Sequence, residues 1–424
     1  MIQRIISTTA SRLLIALANL AVVWLTARNL GAEGMGTISL IILGISINQM
    51  VSALVGGSAL VYLVPRHPLM QLLMPAWVWA VIVSATGSLL LDLFSLVPHG
   101  FILDLFWISL LQSYFTINQN VLLGKEKVFH FNLMAVLQVV ILLILLIVLF
   151  AGFSMVSVRA YIIALYISFG CVFLISYGLI FNYIDRRQLW NWHILRETFR
   201  FGGYLQAAGF MQLFNYRLSY YIIEKYFDRA TLGVFSIGVQ ISESVWIISK
   251  SIAMVQYARI ANSHDPAYSR DLTSAFIRIT TLLTLIILGF LLMLPSGFFV
   301  LIFRSDFSNL HQVILSLSAG ILAIAVSLML SHYFSGSGKP WHNTISSGIG
   351  LIFTLLLGFV LIPRLGITGA GITSSVAYTA GTIYQLIVFV RVSGAKWKNL
   401  QPFGKDHLKV LQLLKGENGL FEKK

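Results

Sequence analysis

The chain has 424 residues, of which 58% are hydrophobic and only 10% charged, against about a quarter charged in a soluble domain; this excludes a soluble globular protein and predicts an integral membrane one. The 29 Lys and Arg against 15 Asp and Glu leave a net charge of +14, which would suggest nucleic acid in a soluble chain but is first an orientation signal in a membrane chain. The single cysteine, Cys171, excludes a disulfide framework and a Cys-based metal site.

Apolar runs broken by charge, Gly or Pro predict twelve spanning helices near 5–28, 37–64, 70–97, 101–123, 130–152, 158–184, 199–224, 231–258, 272–294, 309–334, 342–362 and 367–390. The first run follows one Arg like a signal-peptide core. It is too long for one, lacks a small-residue cleavage pattern and has eleven runs behind it, so it reads as a retained helix. With the amino terminus inside and sides alternating, the inner segments hold 20 basic residues, among them Arg66, Lys125, Lys127, Arg278, Lys339 and eight of the tail from Arg391 to Lys424. The outer connections hold six: Arg28, Arg159, Lys225, Arg229, Arg304 and Arg364. This bias predicts both termini in the cytoplasm. Most of the +14 is then topology, and no nucleic-acid partner is needed.

The longest inner connection, 185–198, divides the chain into a six-helix lobe 1–184, a cytoplasmic linker, a six-helix lobe 199–390 and a basic cytoplasmic tail 391–424. An even number of spans before the linker makes any duplication a parallel one. The first hairpin of each half aligns, LGAEGMGTISL (30–40) on FDRATLGVFSI (227–237), so that Gly36 falls on Gly233 and Ser39 on Ser236. After the fourth span of each half, Gly124-Lys125 falls on Gly338-Lys339, with Phe129-His130 and Trp341-His342 close behind. These matches keep their order along both halves, which predicts a repeat.

The string R-x-LG-x-E-x-x-G-x-x-S (Arg28, Leu30, Gly31, Glu33, Gly36, Ser39), the GK turns, and P-x-x-GITGAG before the last span (Pro363, Gly366, Gly369, Gly371) resemble the polysaccharide-export branch of the MOP, or MATE-like, superfamily. The resemblance runs from Ile5 to about Val390. It implies a Wzx-type flippase for undecaprenyl-pyrophosphate-linked oligosaccharide in the bacterial cytoplasmic (inner) membrane. The implied partners are that lipid-linked substrate, membrane lipids, and the polysaccharide polymerase and chain-length machinery. The glycines themselves suit a tight hairpin or close helix approach rather than substrate contact.

Charged side chains inside a bilayer are costly and face a cavity or a partner. Four are read at mid-bilayer depth: Arg12, Arg217, Glu243 and Lys250. Arg217 and Glu243 lie at similar depth on adjacent antiparallel spans, which suits either a structural ion pair or a coupling carboxylate beside a substrate cation. Arg12 and Lys250 lie in the cytoplasmic half. With Arg217 they form a candidate cationic cavity for a lipid-linked diphosphate; otherwise Arg12 snorkels to the interface and Lys250 pairs with Glu243, seven residues earlier on the same helix face. Asn19, Asn48, Gln212, Asn215, Tyr216 and Tyr220 are the candidate polar lining, since amides and aromatic faces suit sugar rings. The seventh span is their main source, and it carries more polar groups than interhelical hydrogen bonding requires.

The nine His include no HExxH or metal-spaced cluster, and no cofactor is expected beyond a possible H+ or Na+ coupling ion. The tail carries a short apolar stripe, Leu408, Leu411 and Leu414, suited to the anionic inner leaflet. Two other functions compete with flipping. Cation-coupled export of small molecules wants intramembrane carboxylates, of which the spans hold one, Glu243. A membrane polymerase or ligase wants catalytic groups on a substantial outer loop, whereas the outer connections are short and carry no paired carboxylates or nucleophile motif, so a non-enzymatic transporter is expected.

Overall fold

The computed structural model describes residues 2–184, 191–263 and 265–401. Residues 185–190 of the expected linker, and the Leu408, Leu411 and Leu414 stripe, lie outside the described residues. Lipid offers the backbone no hydrogen bonds, so apolar segments close their own as helices, and the described residues contain no strand. In chain order the helices are α1 (Ile2–Gly56), α2 (Ala59–Leu63), α3 (Leu69–Leu93), α4 (Ile102–Gly124), α5 (Val128–Ile147), α6 (Val158–Phe181), α7 (Trp192–Tyr226), α8 (Arg229–Ser244), α9 (Trp246–Ala261), α10 (Pro266–Met293), α11 (Ser296–Ile302), α12 (Leu310–Gly336) and α13 (Trp341–Ser393). Among the described residues, 7 helices are long and apolar enough to cross a membrane, or 8 if the bent pair of α8 and α9 is one span.

The loops expected between the first two and the last two predicted spans are reduced to single residues. The chain stays helical up to Gly31 (φ 69°, ψ −171°) in α1 and Gly366 (φ 59°, ψ −135°) in α13, and reverses there. That backbone region is strained for any residue with a Cβ. Both glycines stand in the same pattern, Leu-Gly-x-x-Gly-x-Gly, at Leu30 to Gly36 and Leu365 to Gly371. The first and last hairpins therefore use one turn chemistry. The eighth predicted span, by contrast, is bent by 41° between α8 and α9. The Ser244 hydroxyl donates to the Ile241 carbonyl at 2.6 Å, a back-bond that weakens and bends the helical ladder.

Helix ends are closed by short polar side chains. Asn191 accepts the His193 N–H at 2.9 Å, Asp265 accepts that of Ala267 at 2.8 Å ahead of Pro266, and Asp228 accepts that of Thr231 at 2.7 Å before α8. The Thr231 bonds hold the Asp228 carboxyl below the usual range, so this cap is present at neutral pH and is lost as pH falls through that lowered value. Asp228→Ala should cost about 1 kcal/mol, read as a lower melting temperature of the purified protein at neutral pH, a difference that closes as acid protonates Asp228 in the wild type.

The chain divides into two compact units. The first comprises Met1–Leu213, Ile223–Ile237 and Gly297–Ser308. In it α1 packs on α3, α4 and α5, and α4 on α6, around fully buried Leu60, Leu63, Leu72, Leu73, Leu105 and Ile108. Amides tie these helices together: Asn48 donates to Ser88 at 3.3 Å and Ser109 at 3.1 Å, and Asn118 to Ser176 at 3.0 Å. On the same unit α1 crosses the start of α8 with no side chain between them. A Cβ at Gly36 would overlap the Arg229 carbonyl, and one at Gly233 that of Ala32. One turn on, the Ser39 hydroxyl donates to that of Ser236 at 2.8 Å. The residues of the two sequence stretches that align with each other, Gly36 with Gly233 and Ser39 with Ser236, are thus in contact.

The second unit comprises Phe214–Ile222, Gly238–Ser296 and Asn309–Lys424. Here α12 is central, packed on α9, α10 and α13 around Phe276, Met329, Leu330, Phe334 and Phe389. Gln256 of α9, fully buried, donates to Thr273 and to the Met329 carbonyl, each at 3.0 Å.

Candidate functional site

Helix α7 is 35 residues long, about 50 Å at 1.5 Å per residue, and interrupts its apolar surface with Asn215, Tyr216, Arg217, Tyr220 and Tyr221. Ionisable side chains inside a membrane protein face a partner or a cavity. Within the second unit, the Arg217 guanidinium meets the Glu243 carboxylate at the last turn of α8, Nη1 to Oε1 at 2.7 Å and Nη2 to Oε2 at 3.0 Å. This is the parallel two-bond geometry in which a guanidinium binds a carboxylate most strongly. The two side chains stay 23% and 24% exposed, so the pair is held in the fold without being sealed from it.

Aromatic rings surround the pair. The guanidinium stands 5.3 Å from the Tyr220 ring centre. Tyr216 packs against Tyr378 of α13 at 5.0 Å and Trp246 of α9 at 6.0 Å, and Trp246 lies 6.4 Å from Tyr378. The Trp246 indole N–H donates to the Ile321 carbonyl at 3.0 Å, which fixes the ring. Lys250 is exposed one turn further along α9, its ammonium 5.9 Å from the Trp246 ring centre.

Of the residues singled out from the sequence, the structure brings Arg217, Glu243, Tyr216 and Tyr220 together. Lys250 stands on α9, across the 41° bend from Glu243 on α8, and both Glu243 oxygens are bonded by Arg217. Asn48, 1% exposed and bonded to two serines, is spent in helix packing. So is Asn215, which accepts from the Thr354 hydroxyl at 2.8 Å where Gly350 leaves no room for a Cβ. Gln212 is exposed on α7, and Arg12 and Asn19 are exposed on the first leg of α1.

Three residues were missed by sequence reasoning. Trp246 and Tyr378 complete the aromatic wall, and Trp246 stands three residues after Glu243, close enough in sequence to have drawn notice. Arg278 belongs to α10 and is only 8% exposed, whereas counting charges assigned it to an inner connection. Its position six residues inside the run 272–294 was the available signal.

The helix arrangement has solved counterparts. It is similar to the lipid II flippase MurJ in an inward closed conformation (TM-score 0.71, 13% identity, 99% of this chain and 94% of that one). It is also similar to a multidrug resistance MATE family transporter of the MOP superfamily in an inward-facing conformation (0.66, 14%, 95% and 96%). A third is a MOP superfamily transporter from Pyrococcus furiosus described as having a binding pocket of reversed polarity (0.60, 15%, 93% and 96%). The fold is therefore that of the MATE-like transporters of the MOP superfamily, and the chain is a multi-pass membrane protein. The chain belongs to the family described as polysaccharide biosynthesis protein, whose model matches residues 25–312. No curated protein matches the chain.

Proposed function

We propose that this protein is a flippase that carries an undecaprenyl-pyrophosphate-linked oligosaccharide from the inner to the outer leaflet of the bacterial cytoplasmic membrane. Two six-helix lobes, 1–184 and 199–390, twelve spans in all with both termini cytoplasmic, would alternate access to the head group while the polyprenyl tail stays in lipid. The family match supports the polysaccharide pathway, and the similarity to a lipid II flippase over nearly the whole chain supports a lipid-linked cargo.

The observation that carries the reading is Arg217: a partly exposed guanidinium in two-bond geometry, walled by aromatic rings. A guanidinium fork matches phosphate oxygens as it matches carboxylate, and tyrosine and tryptophan faces suit sugar rings. Export of cationic small molecules fits less well, because Glu243 is engaged by Arg217 at both oxygens. Polysaccharide polymerase and chain-length machinery would act on the product at the outer face.

The test is translocation of a fluorescent undecaprenyl-pyrophosphate oligosaccharide in proteoliposomes. The wild type should flip it, and Arg217→Ala should slow flipping about tenfold or more, the loss of a charge-assisted bidentate contact. Unchanged rates in Arg12→Ala, Arg217→Ala and Lys250→Ala at normal expression would remove the cationic route while leaving the family assignment standing.

A further inference from the structure

We infer that Glu243 is an internal stand-in for the substrate's diphosphate. Its carboxylate fills the Arg217 fork at rest and gives way to a phosphate of the lipid-linked diphosphate when substrate enters. This rests on the flippase reading above and adds how the cationic site is kept and released.

An empty guanidinium fork inside a membrane protein is an unpaired, poorly solvated charge, so the resting protein needs a counter-anion. A useful counter-anion must also be replaceable by the cargo. Carboxylate and phosphate present the same pair of oxygens to the fork, so exchanging one for the other keeps the guanidinium neutralised and both hydrogen bonds made. The pair is open enough for this, each side chain being about a quarter exposed.

Its two halves are held unequally. Arg217 sits inside the unbroken α7, more than two turns from its end, and leans on Tyr220, which is itself buried. Glu243 sits on the last turn of α8, two residues before the bend at Val245, where the Ser244 back-bond already loosens the ladder. A small change in that bend moves the carboxylate and leaves the guanidinium in place against its aromatic wall. Competition by Glu243 also lowers the apparent affinity for cargo by the fraction of time the fork is free, which suits a carrier that must release what it binds.

The experiment uses the full-length protein in detergent, with farnesyl diphosphate and inorganic pyrophosphate as probes, measuring affinity by calorimetry and by ligand-dependent melting. Glu243→Gln should bind farnesyl diphosphate about tenfold tighter than wild type, Glu243→Asp should fall between, and Arg217→Gln should bind neither probe. Should Glu243→Gln melt lower without ligand, a ligand-induced rise larger than that of wild type supports the exchange, and Glu243→Asp gives a second reading. Tightening with both probes supports exchange at the diphosphate itself, and tightening with farnesyl diphosphate alone supports exchange by the lipid-linked form. Arg217-dependent binding that is equal or weaker in Glu243→Gln overturns the exchange and leaves the flippase reading intact. No binding by any form overturns both.

Discussion

With Ser39→Cys and Ser236→Cys introduced into a Cys171→Ser background, mild oxidation is expected to link α1 to α8 and stop translocation, and reduction to restore it. The two hydroxyl oxygens are 2.8 Å apart, and the neighbouring Gly36 and Gly233 bring the backbones together without side chains. That approach suits the short Cβ–Cβ separation a disulfide needs, about 3.5–4.5 Å. Alternating access in the proposed direction requires this crossing to open near the outer ends of the helices, and a covalent link forbids it. The expected loss is more than about tenfold in flipping rate, as for any gating step made rate-limiting. Linked peptides found by mass spectrometry together with an undiminished rate would show that the crossing stays closed throughout the cycle.

Removing one member of the Arg217 and Glu243 pair should cost far more than removing both. Arg217→Met alone leaves a carboxylate, and Glu243→Met alone a guanidinium, in an interior wall of Tyr220, Trp246 and Tyr378. Breaking a buried pair in this way costs about 3–5 kcal/mol, whereas replacing both ions by apolar groups of similar size is often near neutral. The partial exposure of the pair places the expected cost toward the lower end. Denaturant or thermal unfolding of the two single variants and the double variant checks this through the coupling between them. The double variant should recover most of the stability but none of the transport, which separates the structural contribution of the pair from its use on substrate. A loss in the double variant equal to the sum of the two single losses would mean that the two groups are not coupled.

Much of this was legible in the sequence for a specific physical reason. Burying a chain in lipid demands apolar runs, so hydropathy alone marks the membrane class, and charges within those runs are too costly to be incidental. That is why Arg217 and Glu243, matched in depth by residue counting, are found bonded. The glycines of the first and last hairpins were readable as backbone devices, although their shared Leu-Gly-x-x-Gly-x-Gly pattern stood out only once Gly31 and Gly366 were found in the same left-handed turn. The polar lining was less legible. An amide in a spanning helix looks the same in sequence whether it faces a cavity or a serine, and only the neighbours of Asn48 and Asn215 assign them to packing.

The sequence by itself therefore determined that the protein crosses the membrane many times, and it singled out Arg217 and Glu243 as ionic groups within its helices. These follow from local composition, because solvation by lipid acts on each segment separately. Only the tertiary structure decided that Gly36 meets Gly233 and Ser39 meets Ser236, that Arg217 takes both Glu243 oxygens, that Trp246 and Tyr378 wall the ion pair, and that Arg278 is interior. Each of these depends on which distant segment lies alongside, and contact between residues far apart in the chain leaves no periodicity for a sequence to display.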